Sequence, residues 1–167
     1  MPVQMRCASP SDVDVMWHMF QRVAAKGDSI PGSDSIGKEE FASQWFAPNI
    51  HTFVAEEGGR ILGMSKLGAN HPGRGSHVSS ATFIVDPQYQ GQGVGRRLVE
   101  HSLDTCERAG YIAMQFNFVV STNLPALSLY RRLGFAVVGT LPKAFNHSVL
   151  GCVDAFVMYR VLGQPGR

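Results

Sequence analysis

Little in this chain is charged, and nothing in it is long and apolar. Charged residues make up 17% of the 167, and the formal net charge is only +2. No lysine- or arginine-rich tract occurs, so the electrostatic footprint of a nucleic-acid partner is missing. No apolar run approaches the roughly 20 residues that a membrane-spanning helix needs. The N-terminus lacks a basic segment followed by an apolar core. Cys7, Cys106 and Cys152 are scattered and odd in number, which excludes a disulfide framework and a cysteine metal cluster. Repeats, low-complexity tracts and interdomain linkers are missing as well. The cytoplasm is the expected location, with no metal, nucleic acid or membrane as partner.

Hydrophobic residues, at 44%, are plentiful enough to rule out wholesale disorder. A chain of this length can bury a core, and residues 1–162 are expected to form one domain with 163–167 as a frayed tail. The elements alternate in mixed α/β order. Val3 to Cys7 reads as a strand, followed by a helix from the Ser9-Pro10 start to about Lys26, with Gly27 as its stop. Residues 27–37 form a loop, and a short helix runs through about Trp45. His51 to Glu56 and Ile61 to Ala69 read as a hairpin around Gly58-Gly59. Strands are expected over 77–85, 112–120, 135–141 and 152–162.

Between the strand ending at Val85 and a helix carrying Leu98, Val99, Leu103 and Cys106 lies Gln90-Gly91-Gln92-Gly93-Val94-Gly95. Glycines let a ligand approach the backbone, and first-turn N–H groups have no intrahelical partner. Those donors and the positive helix end favour an anion, so a phosphorylated ligand is expected. A dinucleotide fingerprint fails because Arg96 stands where the third glycine belongs, and a Walker loop fails for want of Gly-Lys-Ser/Thr. The same segment also reads as a tight strand-to-helix turn without a ligand. Downstream, Ser121-Thr122-Asn123-Leu124-Pro125-Ala126-Leu127-Ser128-Leu129-Tyr130 precedes Arg131-Arg132-Leu133-Gly134-Phe135. Asn123 can cap a helix that Gly134 ends, and Ala126, Leu129, Tyr130 and Leu133 form an apolar stripe. Core packing is therefore one reading of Tyr130.

Taken together, the glycine loop resembles the Gln/Arg-x-x-Gly-x-Gly/Ala motif of the GCN5-related N-acetyltransferase (GNAT) superfamily. The downstream stretch resembles that family's Asn-x-x-Ala-x-x-Leu-Tyr-x-x-x-Gly-Phe segment at every named position. The resemblance covers roughly residues 50–160. It implies an α/β fold whose mostly antiparallel sheet is splayed by a bulge between two central strands, here 77–85 and 112–120. It implies acetyl-CoA as co-substrate and transfer of acetyl to an amine by direct attack. Phe83, Ile84 and Val85 would offer backbone groups to the pantetheine arm. Gln90, Gly91, Gln92, Gly93, Val94, Gly95 and Arg96 would wrap the pyrophosphate, with Arg96 alternatively solvated. Asn123 would bond the pantetheine while also capping its helix. A backbone N–H near Val85 would hold the oxyanion. Tyr130, about 10 Å from Asn123 along one helix face, would protonate the leaving thiolate. A homodimer is a further expectation of the resemblance.

The base is open. His77 enters the strand beside the cofactor and can accept a proton near neutrality, but an ordinary surface or capping role competes equally. His147, in a Pro142–His147 loop, could rim the acceptor pocket. Asn117 stands in an otherwise apolar strand. A buried Asn must be paired, so it either joins a structural network or binds acceptor or water. Asp86 and Asp154 read as turn and strand-edge residues. The Asn117 segment and the Pro142–Asn146 loop also resemble fungal acetyltransferases of azetidine-2-carboxylate, too briefly to transfer a substrate. A small amine or amino acid is the expected acceptor. The alternatives are a protein or peptide N-acetyltransferase, a non-catalytic acetyl-CoA sensor and a nucleotide-binding protein.

Overall fold

Strand β1 (Gln4–Cys7) leads through a Pro10–Asp12 turn into α1 (Val13–Lys26). The Asp12 carboxylate accepts the Ser9 N–H at 2.8 Å and two Arg6 N–H groups at 2.8 and 3.0 Å. The Arg6 guanidinium is the main reason its pKa is held down at about 2. The computed structural model describes residues 2–163. Within them follow α2 (Lys38–Trp45), the hairpin β2 (His51–Glu57) and β3 (Arg60–Ala69), and β4 (Val78–Val85). Then come α3 (Val94–Arg108), β5 (Ala113–Val120), α4 (Leu124–Arg132), β6 (Ala136–His147) and β7 (Gly151–Val161).

The strands form one sheet in the order β1-β2-β3-β4-β5-β7-β6. Every neighbouring pair is antiparallel except β4 and β5. Those two pair in parallel at only two positions, Val78 with Ala113 and Ser79 with Met114. Meanwhile β4 stays paired to β3 through Val85, and β5 stays paired to β7 through Val120. The sheet therefore opens between β4 and β5 from Ser80 onward, as the splayed α/β fold requires. The irregularity near the gap lies in β5, between Phe116 and Val119.

Helices cover both faces. On one, α1 and α2 pack Met16, Met19, Phe41 and Trp45 against Val54, Met64 and Ile84. On the other, α3 and α4 pack Val99, Leu103, Cys106 and Leu127 against Met114, Phe116, Phe135 and Met158. The helical spacing read for α3 is borne out, since Leu98, Val99, Leu103 and Cys106 are all buried. The stripe read for α4 needs a correction: its buried residue is Leu127, while Ala126, Leu129 and Tyr130 are only partly covered. Leu127 enters the core beside Val99, Leu103 and Phe135, while Leu129, Tyr130 and Leu133 pack against its margin, so the arc of α4 that is fully covered is narrower than the apolar stripe.

Residues 142–146 are also not a loop. Strand β6 runs through them, with an irregular register between Leu141 and Phe145. There Lys143 takes a φ of 49° and its N–H donates to Asp154 at 2.9 Å. Proline and a left-handed lysine look like a loop locally, but pairing to β7 resumes at Phe145. Of the expected tail, residues 164–167 lie outside the described residues, while the Gly163 N–H donates to Glu107 at 3.3 Å.

Candidate active site

Three segments converge where the sheet opens. The Gln90–Gly95 loop turns through Gly91 and Gly93 with φ of 75° and 82°, a left-handed conformation that side chains rarely adopt. Gly93 is the N-cap of α3, and no side chain caps that helix. A Cβ at either glycine would meet nothing within 4 Å, so the space above the loop is open. Gly95, in the first turn of α3, approaches Val85 of β4 and Leu129 of α4, at 3.6 and 3.8 Å from its would-be Cβ. The loop, the end of β4 and α4 thus share one corner. Within the loop Gln92 donates to the Gln88 carbonyl at 3.2 Å. Arg96 is exposed and paired with Glu100 at 2.8 Å, one helical turn along.

The edge of β4 facing the gap carries the unpaired backbone. Its side chains go to the core: Ile84 is buried under α1 and α2, and Phe83 packs on the α3–α4 face. Asn70 N–H bonds the Val78 carbonyl and Asp86 N–H the Leu62 carbonyl, so the even-numbered residues, Ile84 among them, spend their backbone groups on β3, and those of Ala81, Phe83 and Val85 are directed at the gap. An extended ligand with amide groups of its own can take the place of the missing strand.

Tyr130 stands beside this gap. Its ring lies 4.5 Å from Phe116, 5.9 Å from Phe135 and 6.4 Å from Phe83, centroid to centroid. Burial pushes its phenol up to about 12, so the hydroxyl keeps its proton at neutral pH. Asn123 caps α4, its side chain accepting the Ala126 N–H at 3.4 Å.

On the opposite face of the gap the structure assembles a polar cluster. Asn117 is exposed, not buried. It donates to Asn70 at 2.6 Å and accepts from Asn70 at 3.2 Å and Gln115 at 2.9 Å. The register puts Lys66 opposite Thr82, two residues from the Met64–Ile84 pair that faces α1 and α2. Lys66 therefore shares this face, its ammonium 5.1 Å from the Trp45 ring centroid, and burial pushes its pKa down. Asn70 and Gln115 carried no signal in the sequence. Only strand alternation about Asn117 could have found Gln115, and Asn70 arrives from 47 positions away.

Two histidines fall elsewhere. His77 precedes β4 and is exposed, its carbonyl accepting the Ile112 N–H at 3.0 Å. That is the closed end of the β4–β5 pair, and Phe83 lies about 20 Å further along the strand. His147 ends β6, and its Nδ1 accepts the N–H groups of Val149 and Leu150 at 3.1 and 3.2 Å. It shapes the β6–β7 turn instead of rimming a loop. Among the described residues no group of three or more His, Cys, Asp or Glu could hold a metal, and no helix is long and apolar enough to cross a membrane.

A loop opening α3, a half-paired β4 and a protonated tyrosine on α4 form one arrangement, and residues 16–135 match the acetyltransferase (GNAT) family. The chain belongs to that family. This GNAT chain is 34% identical over 137 residues to the N-alpha-acetyltransferase RimI of Mycobacterium tuberculosis, a match covering 80% of each chain. It is 32% identical over 114 residues to the N-acetyltransferase aca1 of Schizosaccharomyces pombe, over 66% of this chain. It spans about half of that relative's length, 54%. A solved GCN5-related N-acetyltransferase from Kribbella flavida is 37% identical with a TM-score of 0.92, over 96% of this chain and 98% of that one. Acetyl-CoA is the acyl donor that goes with the GNAT family.

Proposed function

We propose that residues 1–162 act as a single domain that transfers acetyl from acetyl-CoA to the amine of a small amino acid. The unpaired edge of β4 beside the glycine loop carries the donor half of this reading. The pyrophosphate rests on the first-turn N–H groups of α3, and the pantetheine fills the gap as an added strand. The amine nitrogen attacks the thioester carbonyl carbon, a C–N bond forms, and an N–H near Val85 holds the oxyanion. The C–S bond then breaks, Tyr130 gives its proton to the departing thiolate, and the amine's proton leaves to solvent.

The amide cluster supports the acceptor half. Asn117 Oδ1 already accepts two N–H groups, so what Asn117 has left to offer is an N–H. Asn70 and Gln115 each spend one N–H on Asn117 and keep a second. Side chains alternating onto this face (Lys66, Ser80, Thr82, Gln115 and Asn117) include a cation and no carboxylate. Such a surface suits an acceptor whose amine is flanked by a carboxylate, and it disfavours a polyamine. A second reading, acetylation of a protein N-terminus, is favoured by the similarity to a protein named an N-alpha-acetyltransferase.

One experiment addresses both. Thiol release from acetyl-CoA is followed with free amino acids, their carboxamides, peptides with a free N-terminus, and polyamines. Free amino acids are expected to be acetylated and to lose kcat/KM on conversion to the carboxamide. Release with peptides alone would replace this reading by the second, and no release with any amine would leave a binding protein without transferase activity.

A further inference from the structure

Asp86 closes β4 and caps the turn that leads to the phosphate loop, its Oδ1 accepting the Gln88 N–H at 3.0 Å. A cap alone requires only a neutral oxygen, which Asn or Ser would supply. Here the carboxylate is buried, at 6% exposure, and its other oxygen accepts Arg22 Nη2 of α1 at 2.5 Å, from 64 positions away. The same turn is fixed at the backbone, with Asp86 N–H on the Leu62 carbonyl and Tyr89 N–H on the Asp86 carbonyl. The Gln88 carbonyl in turn accepts Gln92 of the loop. A continuous run of contacts therefore leads from α1 through Asp86 and Gln88 into the segment that turns on Gly91 and Gly93.

We propose that Arg22 and Asp86 are positioning residues for the pyrophosphate loop, tying it to the helix layer that covers the acceptor face. This rests on the reading of Gln90–Gly95 as the acetyl-CoA site. The loop has two left-handed glycines and no side-chain cap, so little within it holds its donors in place. Several N–H groups must converge on one diphosphate, and an anchored turn lowers the ordering cost of that convergence.

The test compares Arg22→Gln, Arg22→Lys and Asp86→Asn in the full chain. Asp86→Asn keeps the cap oxygen and removes the charge, and Arg22 is half exposed, so its replacement leaves the core intact. Calorimetry measures the Kd of acetyl-CoA and of 3′-phospho-ADP, and an NMR titration measures S-acetylpantetheine, which lacks the diphosphate. Arg22→Gln and Asp86→Asn are expected to weaken both diphosphate ligands by about tenfold and S-acetylpantetheine hardly at all, with Arg22→Lys recovering part of the loss. Equal weakening of all three ligands would mean general structural damage and overturn the inference, as would unchanged acetyl-CoA affinity in folded Arg22→Gln. Wild-type protein that binds no acetyl-CoA would instead overturn the proposed function, and this inference with it.

Discussion

The neighbours of Tyr130 extend the range over which its phenol stays protonated. The ring packs beside Phe83, Phe116 and Phe135, and desolvation there disfavours the phenolate. The active form of a general acid is the protonated one, so its contribution is present below the folded pKa and lost as pH rises through about 12. A tyrosine at the reference value would fail two units sooner, near roughly 10. The expected alkaline profile is therefore flat with respect to this group through pH of about 10. Tyr130→Phe keeps the ring in its aromatic cluster and removes the hydroxyl. Turnover should fall on the order of 10²-fold with acetyl-CoA affinity nearly unchanged. Parallel loss of binding and thermal stability would identify Tyr130 as a packing residue only, and full activity would remove it from the mechanism.

The start of α3 combines two requirements that only glycine meets together. Gly93 must adopt a φ of 82° to turn the chain into the helix, and it must leave the approach to the first-turn N–H groups open. A Cβ added there would meet no neighbouring atom within 4 Å, so the first atom of a side chain finds open space. The cost is local: a β-branched residue in the left-handed region is strained by about 1–3 kcal/mol, and its methyl groups would stand in the path we propose for the phosphates. Gly93→Val is expected to remain folded and to lose most acetyl-CoA affinity in calorimetry. Unchanged affinity would rule this loop out as the pyrophosphate site. A helix N-terminus is legible because its signals are contiguous, and β6 shows the converse. Pro142 and Lys143 suggest a break, yet partners on β7 carry the strand past them to His147.

At the scale of the whole molecule, the gap between β4 and β5 is an incomplete sheet held open by its flanks. Pairing to β3 and β7 is maintained on the outer sides, and separate helix layers fill each face. A ligand that completes the sheet should stabilise the fold as a unit. At acetyl-CoA of about 100 times Kd, linkage gives roughly 2.7 kcal/mol, which for a domain of this size raises Tm by about 5–10 °C. Hydrogen exchange should slow most at the Ser80–Val85 amides that face the gap, and little in β1 and β2. Uniform protection across the sheet, or none in β4, would place the ligand elsewhere.

Contiguous sequence was enough for whatever depends on near neighbours. The alternating elements, the helix caps at Asn123 and Gly27, the buried stripe of α3 and the two family segments follow from spacings of a few residues. Turn conformation, helix periodicity and orphan N–H groups are local properties of the chain. The tertiary structure alone decided which polar residues meet. The apolar strand around Asn117 implies a buried side chain, but Asn117 is exposed and bonds Asn70, 47 positions away. His77 stood next to the right strand in sequence and at its wrong end in space, since the strand's direction relative to the opening follows from sheet pairing. Arg22 and Asp86 carried no mutual signal either. Their contact depends on how α1 packs over β4, and that packing is set by apolar burial across the whole helix layer.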